Sequence, residues 1–171
     1  MKTQTKTILH VSECSHGGVA TVINECIHYQ RNNDCSVYVC IPDVYAEELT
    51  GINEQNVSTY RRSGRNAASL IRLFCSLWLA LSKIENVDVI HLHSSFAGAV
   101  GRVAVLVYYI FKKKPKVIYT PHCWAFLMNN PVYIKKIYAF FEKFLSKFSD
   151  TIICCSRYEY SSAVRFGVSA N

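Results

Sequence analysis

The sequence predicts an α/β fold: a doubly wound, mostly parallel sheet with helices on both faces, similar to a Rossmann domain. Short apolar segments rich in β-forming residues alternate with longer segments whose apolar residues recur every three or four positions. The short segments are near-continuous apolar runs, as in parallel strands that are buried on both faces. The chain has 171 residues, half of them hydrophobic, which is enough for one domain with a substantial core.

The first half of the chain supplies three strands and two helices. Apolar runs predict the strands, and apolar residues that fall on one broad face predict the helices. A polar turn ends the first helix, and Pro42 ends the second strand. The predicted strands are 7–11, 36–41 and a weaker 57–60, and the predicted helices are 19–32 and 66–83.

The second half continues the same alternation. Pro121 closes one apolar strand, and Gly167 ends the last helix. The predicted strands are 87–93, 116–120 and 151–155, and the predicted helices are 98–111, 131–148 and 156–166. Right-handed crossovers between such elements build a single Rossmann-like domain over residues 1–171.

Composition limits the partners and the compartment. The net charge of +7 favours anionic partners, such as phosphorylated substrates or anionic lipid headgroups. No RNA-binding aromatic pattern or recognition helix accompanies the basic clusters, so we expect no nucleic acid partner. The eight cysteines have no Cys-x-x-Cys spacing, which favours free thiols in a reducing cytoplasm over disulfides or a zinc site. The longest strongly apolar segment, 103–111, is too short to cross a bilayer.

Two adjacent glycines follow the first strand. Gly17 and Gly18 lie between the strand that ends near Ser12 and the helix that opens at Val19. A glycine turn lets a ligand approach the backbone, and the free N–H groups of the first helical turn attract a negatively charged group. The alternative is that the glycines only make a sharp turn.

Polar residues also follow three other strands. Ligands of doubly wound folds bind outside the carboxyl ends of the strands, so these residues are candidates for a site. We expect His91 to be an internal, hydrogen-bonded side chain, and His93 either to contact a ligand or to orient a loop. His122 follows Thr120 and Pro121, and its imidazole suits either a sugar hydroxyl or a phosphate oxygen, the alternative being a loop cap.

The start of the last helix carries a second kind of signal. Ser156 is a predicted N-cap, and Glu159 three residues later completes a capping box.

Other chemistries fit poorly, because the chain has no Gly-x-Gly-x-x-Gly dinucleotide fingerprint, phosphate-binding P-loop, nucleophile elbow or His-Glu-x-x-His motif.

Four segments together resemble the N-terminal half of retaining GT-B glycosyltransferases of the GT4 type. The resemblance covers essentially the whole chain, and the order and spacing of the segments make it specific. The segments are Ile8-Leu9-His10-Val11 with Gly17-Gly18, Val87-Asp88-Val89-Ile90-His91-Leu92-His93, Tyr119-Thr120-Pro121-His122, and Asp150-Thr151-Ile152-Ile153-Cys154-Cys155-Ser156.

The resemblance implies transfer of a sugar from a nucleotide diphosphate sugar to a glycan or lipid-linked acceptor in surface polysaccharide synthesis, with retention of the anomeric configuration. On this analogy His122 is catalytic and lies beside the transferred sugar, and no metal or other cofactor is required. The implied substrate-binding residues are Gly17 and Gly18 near the donor diphosphate, and His93, Ser94 and Thr120 lining the cleft. Apart from the analogy, Trp124 in the apolar loop and Ser156 and Glu159 at the start of the last helix are further candidate substrate-binding residues.

One departure limits the analogy. In this family a C-terminal nucleotide-sugar-binding domain follows the first domain, and this sequence ends at Asn171. We therefore expect the chain to be the acceptor-side half, inactive alone, and completed by a C-terminal domain or a partner chain. The alternative is a non-catalytic Rossmann-like module that binds a partner or an anionic ligand.

The predicted helix 131–148 combines an apolar face with positive charge. Such helices can lie on anionic membranes, which would put the protein peripherally on the inner face of the cell membrane, but we expect this face to pack on the sheet. The preceding apolar loop, 123–128, could cover the acceptor, contact lipid or lie beneath another domain. The apolar face comprises Ile134, Ile137, Tyr138, Phe141, Phe144, Leu145 and Phe148, and the charges are Lys135, Lys136, Lys143 and Lys147.

Overall fold

A computed structural model describes residues 5–168 and confirms the α/β architecture. Six strands form one sheet in the order β3-β2-β1-β4-β5-β6, and every described pair is parallel. The strands are β1 (Thr7–Ser12), β2 (Ser36–Pro42), β3 (Val57–Tyr60), β4 (Val89–His93), β5 (Lys116–Thr120) and β6 (Thr151–Ile152). The α-helices are α1 (Gly18–Asn32), α2 (Ala67–Lys83), α3 (Ser95–Tyr108), α4 (Val132–Ser146) and α5 (Arg157–Arg165).

The helices cover both faces of the sheet, as predicted. On one face α1 inserts Ile23 and Ile27 against the apolar side chains of β2. On the other face α2, α3 and α4 pack over a larger core that includes Leu9 and Val11 of β1. Since side chains alternate along a strand, His10 between these two residues points to the α1 face.

Several predicted boundaries differ from those in the structure, and two of the differences have identifiable reasons. Helix α3 begins at Ser95 and not at residue 98, because Ser94 takes a positive φ of 78° and turns the chain directly into the helix. Strand β6 pairs with β5 only through Thr151 and Ile152 and does not extend to residue 155. There the N–H of Cys155 donates instead to the carboxylate of Glu159, 2.8 Å away.

The predicted inward face of the fourth helix is also wrong in part. Of its predicted apolar face, Leu145 is buried, but Ile137, Phe141 and Phe144 are exposed. The residues that α4 buries are Ala139, Glu142, Leu145 and Ser146. The helix is turned this way because Glu142 pairs with buried Arg102 of α3, which an apolar-face argument does not anticipate.

Close contact between α3 and the sheet depends on two glycines. A Cβ added to Gly98 would collide with the ring of Tyr119, and one added to Gly101 would collide with the side chain of Leu92. The helix therefore lies directly on β4 and β5, which holds its N-terminus at the ends of these strands. None of the helices between residues 5 and 168 is long and apolar enough to cross a membrane.

Candidate functional site

The carboxyl ends of β1, β4 and β5 meet at the centre of the sheet. Strand order reverses between β1 and β4, which is the topological switch point where ligands of doubly wound folds bind. The register places Ser12 beside His93 and His93 beside Thr120. A groove of about 200 Å³ opens here, and its lining includes Val19, Arg65, Ser94, His122 and Met128.

The first turn of α1 reaches this groove through Val19. Gly17 has φ 58° and ψ −130°, a conformation that is accessible almost only to glycine, and Gly18 starts the helix. No side chain caps this helix start, and a Cβ at either glycine would meet no atom within 4 Å. The N–H groups at the start of α1 are therefore accessible to an anion near Val19.

A chain of hydrogen-bonded imidazoles leads from α1 to the groove. Nε2 of His10 lies 2.8 Å from Oε1 of Gln30, and Nδ1 of His10 lies 3.0 Å from Nε2 of His93. Nδ1 of His93 lies 2.9 Å from Nε2 of His122. His10 and His93 are fully buried, whereas His122 is half-buried at the groove.

Burial keeps these imidazoles neutral. Loss of hydration lowers the pKa of His10 to about 4, although its hydrogen bond to Gln30 opposes the shift. Burial, together with the neighbouring His10 and His122, lowers the pKa of His91 to about 3. Burial is also the main cause that lowers the pKa of His93 and that of His122. At neutral pH each ring therefore has one N–H donor and one acceptor nitrogen.

His10, His91 and His93 could also be considered as metal ligands, since one nitrogen of each lies within 4.8 Å of the others. The ring arrangement favours hydrogen bonding instead. His10 and His93 are stacked, and both nitrogens of each ring already lie within 3.0 Å of a hydrogen-bonding partner. Ligands of one metal need lone pairs that converge on a point, which these two rings do not provide.

Residues beside the imidazole chain are held by internal contacts. Nε2 of His91 lies 2.8 Å from the hydroxyl of buried Thr120, which confirms the prediction of an internal, hydrogen-bonded histidine. Ser94 is buried at the end of β4, and its Oγ has no hydrogen-bond partner within the described part of the chain. A groove ligand could therefore supply that missing partner.

His93 and Thr120 do not line the groove as predicted, because both are buried in contacts with other histidines. Three further predicted binding residues also lie in structural contacts away from the groove lining. Trp124 is fully buried, stacks on Phe126 and donates its indole N–H to the carbonyl of Glu159. Ser156 Oγ accepts from the Glu159 N–H at 3.1 Å, which confirms the predicted N-cap, while the Glu159 carboxylate reaches Cys155. The apolar loop that contains Trp124 folds into the core.

The structure adds site residues that sequence reasoning missed. Glu13 follows β1, is 4% exposed, and pairs with Arg65 at 3.2 Å and with Arg62 at 3.9 Å. His10 and Gln30 complete the imidazole chain. The position of His10 between Leu9 and Val11 in an apolar strand could have identified it as a buried polar residue. Nothing in the sequence distinguishes Gln30 from the other polar residues of its helix.

Comparison with known proteins assigns the chain to a family. The model of the family described as Glycosyltransferase Family 4 matches residues 16–171. The chain belongs to glycosyltransferase family 4. This assignment confirms the resemblance carried by the glycine turn and the strand-end histidines.

Two relatives of this family 4 chain are longer proteins. An uncharacterized 41.2 kDa protein in the cps region of Klebsiella pneumoniae is 42% identical over 164 residues, 96% of this chain and 44% of that protein. Escherichia coli UDP-Gal:alpha-D-GlcNAc-diphosphoundecaprenol alpha-1,3-galactosyltransferase is 32% identical over 90 residues, 53% of this chain and 21% of that enzyme. The family 4 chain thus spans less than half the length of these relatives.

A solved structure shares the fold of the family 4 chain. A crystal structure of UDP-N-acetylglucosamine 2-epimerase superposes on 98% of this chain and 45% of its own, with a TM-score of 0.60 and 11% identity. At this identity the likeness shows the fold alone.

Proposed function

We propose that this domain is the acceptor-side half of a retaining glycosyltransferase. It acts on a nucleotide diphosphate sugar and a glycan or lipid-linked acceptor in surface polysaccharide synthesis. The observation that carries the proposal is the groove at the switch point, whose lining includes His122 and Val19, the latter in the first turn of the uncapped helix α1. Family membership and the galactosyltransferase relative support the same reaction class.

The start of α1 is the proposed contact for the donor diphosphate. Its free N–H groups and the helix dipole present positive potential that stabilises the negative charge that develops on the leaving group. Arg65 lines the same groove and adds a cation, although it also pairs with Glu13. On this proposal the leaving diphosphate needs no divalent metal, and transfer is expected to continue in the presence of a chelator.

His122 is the proposed catalytic contact to the transferred sugar, and Ser94 lines the same groove. The nucleotide end of the donor requires a surface opposite the groove, which we assign to a C-terminal domain or a partner chain. The greater length of both relatives supports this assignment. Residues 1–171 alone are therefore expected not to transfer sugar.

Replacing His122 tests the catalytic proposal. In the assembled enzyme, His122→Ala is expected to lower kcat/KM for sugar transfer by roughly a hundredfold, because a preorganised polar contact at the reacting sugar is lost. His28→Ala is the matched control, since His28 is exposed on the outer surface of α1. Unchanged transfer by His122→Ala would overturn the role of His122, whereas no transfer by the unmodified assembled enzyme would favour the non-catalytic binding module.

Substitutions at Gly17 and Gly18 distinguish an effect on backbone conformation from an effect on ligand binding. Gly17→Ala is expected to cost about 1–3 kcal/mol of unfolding free energy, because Gly17 has a positive φ. Gly18→Ala is expected to leave stability unchanged or slightly raised. Its methyl group should nevertheless raise the KM for the donor several-fold, since the diphosphate approaches the backbone there. Urea unfolding and donor kinetics measure the two effects, and an unchanged donor KM in Gly18→Ala would contradict the diphosphate contact.

Helix α4 is the proposed contact with an anionic membrane surface at the inner face of the cell membrane. Three neighbouring aromatic residues, Phe140, Phe141 and Phe144, are 66%, 55% and 51% exposed. Lys136 and Lys143 are exposed on the same helix. Aromatic rings beside lysines suit the boundary between acyl chains and anionic headgroups, where a lipid-linked acceptor would be presented.

Vesicle sedimentation tests this surface. The protein is expected to bind phosphatidylglycerol-containing vesicles and not vesicles of phosphatidylcholine alone. Lys143→Gln should weaken binding about fivefold, since each cation near the surface contributes about 1 kcal/mol. Phe141→Ser should also weaken binding, whereas Ile71→Ser, a control at a 63% exposed position on α2, should not. Equal binding by Phe141→Ser and the unmodified protein would exclude α4 as the contact.

A further inference from the structure

We propose that Gln30 is a positioning residue that sets the tautomer of His122 through His10 and His93. In this arrangement His122 keeps its proton on Nε2, and its unprotonated Nδ1, which lies 3.7 Å from Sγ of Cys155, is an acceptor that a sugar hydroxyl can take over from this weak thiol donor. The inference deepens the proposed function and rests on it for the identity of the ligand. The tautomer itself is measurable without any ligand or activity.

The direction of the hydrogen-bond chain follows from its inner end. Oε1 of Gln30 can only accept, so His10 donates to it from Nε2. A neutral imidazole has one donor, so Nδ1 of His10 accepts from Nε2 of His93. By the same logic, Nδ1 of His93 accepts from Nε2 of His122. Each ring is therefore in its Nε2–H form, and Nδ1 of His122 is left as an acceptor.

The contact at the outer end of the imidazole chain is consistent with the same donor-to-acceptor direction. Sγ of Cys155 lies 3.7 Å from Nδ1 of His122. Burial, with a smaller contribution from Glu159, raises the pKa of Cys155, so the group is a thiol that can donate its S–H weakly to this nitrogen. With an acceptor at Gln30 and a donor at Cys155, all three rings can adopt the same Nε2–H tautomer.

This tautomer limits the chemical groups that Nδ1 of His122 can bind. An unprotonated nitrogen attracts a hydroxyl hydrogen and repels the oxygens of a phosphate or carbonyl group. The sugar hydroxyl therefore belongs at His122, and the diphosphate belongs at the start of α1. The sequence alone allowed either a hydroxyl or a phosphate oxygen at His122.

Nitrogen NMR of the natural full-length protein labelled with ¹⁵N-histidine measures the tautomers at pH 8, where the rings are neutral. His10, His93 and His122 are each expected to show a protonated Nε2 and an unprotonated Nδ1. Gln30→Met removes the acceptor and should reduce the tautomer ratio at His122 by about tenfold, the effect of one ordinary hydrogen bond. Gln30→Glu keeps an acceptor at the same place and should retain the ratio of the unmodified protein.

Two outcomes would overturn the inference: a proton on Nδ1 of His122 in the unmodified protein, or an unchanged tautomer ratio in folded Gln30→Met. Inorganic pyrophosphate is the probe for the ligand assignment. It should leave the His122 signals unchanged while shifting the backbone signals of Gly18 and Val19, and a direct shift at Nδ1 would contradict the hydroxyl assignment. If the tautomers are as expected and the enzyme transfers no sugar, the proposed function fails and the role of Gln30 stands.

Discussion

Arg102→Met is expected to destabilise the domain by about 3–5 kcal/mol, because it leaves a buried carboxylate without its partner. Nη2 of Arg102 lies 2.8 Å from Oε2 of Glu142, and Nε donates to the carbonyl of Gly98. The other oxygen of Glu142 accepts from the hydroxyl of Tyr119. The side chain of Arg102 is fully buried and that of Glu142 is 6% exposed, so water cannot replace either partner.

The pair links α3 and α4 across β5, the strand that leads directly into His122. Its loss should therefore reduce transfer activity as well as stability. Urea unfolding of the single variant Arg102→Met measures the cost, and the triple variant with Glu142→Leu and Tyr119→Phe is the control. The triple variant removes every member of the polar cluster, so most of the lost stability should return. If Arg102→Met unfolds at the same urea concentration as the unmodified protein, the pair does not stabilise the fold.

Lowering the pH from 7 to 5 is the second change with a large expected effect. The folded domain keeps His10 neutral because burial lowers its pKa to about 4, and burial likewise lowers the pKa of His91 to about 3. In the unfolded chain both side chains titrate near their ordinary pKa of about 6.5. Between these values the unfolded state binds more protons, so stability is full above about pH 6.5 and is lost as the pH falls.

The expected loss between pH 7 and pH 5 is about 2 kcal/mol for each histidine that stays neutral in the fold. Burial also lowers the pKa of His93 and that of His122, so four side chains contribute to this loss. Urea unfolding at pH 5, 6, 7 and 8 measures this dependence. His91→Gln should remove about 2 kcal/mol of it, and His28→Gln, at an exposed position, should remove none. Equal stability at pH 7 and pH 5 would contradict the neutral cluster.

The order of strands and helices could be predicted because it depends on local patterns. Apolar runs and helical periodicity report which residues are shielded from water, and Pro42 and Ser156 mark element ends by their own backbone chemistry. The same patterns predicted the position of the groove, since parallel strands place their carboxyl ends at one edge. The turn at Gly17 was predictable for a similar reason, because few other residues adopt its backbone conformation.

The orientation of α4 could not be predicted from its own sequence. Its apolar residues outnumber the positions that face the core, and buried Glu142 follows from Arg102, forty residues earlier. Trp124 was assigned to substrate binding because an apolar loop suggested a ligand surface. The structure places its ring in the core, and this depends on the distant carbonyl of Glu159, which accepts the indole N–H.

In the imidazole chain, too, some features follow from the sequence and others only from the tertiary structure. The sequence alone established that polar histidines end buried strands, because strand periodicity and residue type are properties of short segments. The alignment of His10, His93 and His122 on a glutamine of α1 required parallel pairing of β1, β4 and β5 and the packing of α1 on one face. Hydrogen bonds between residues 20 to 83 positions apart leave no periodic trace in the sequence, so only the folded arrangement brings the three rings and Gln30 together.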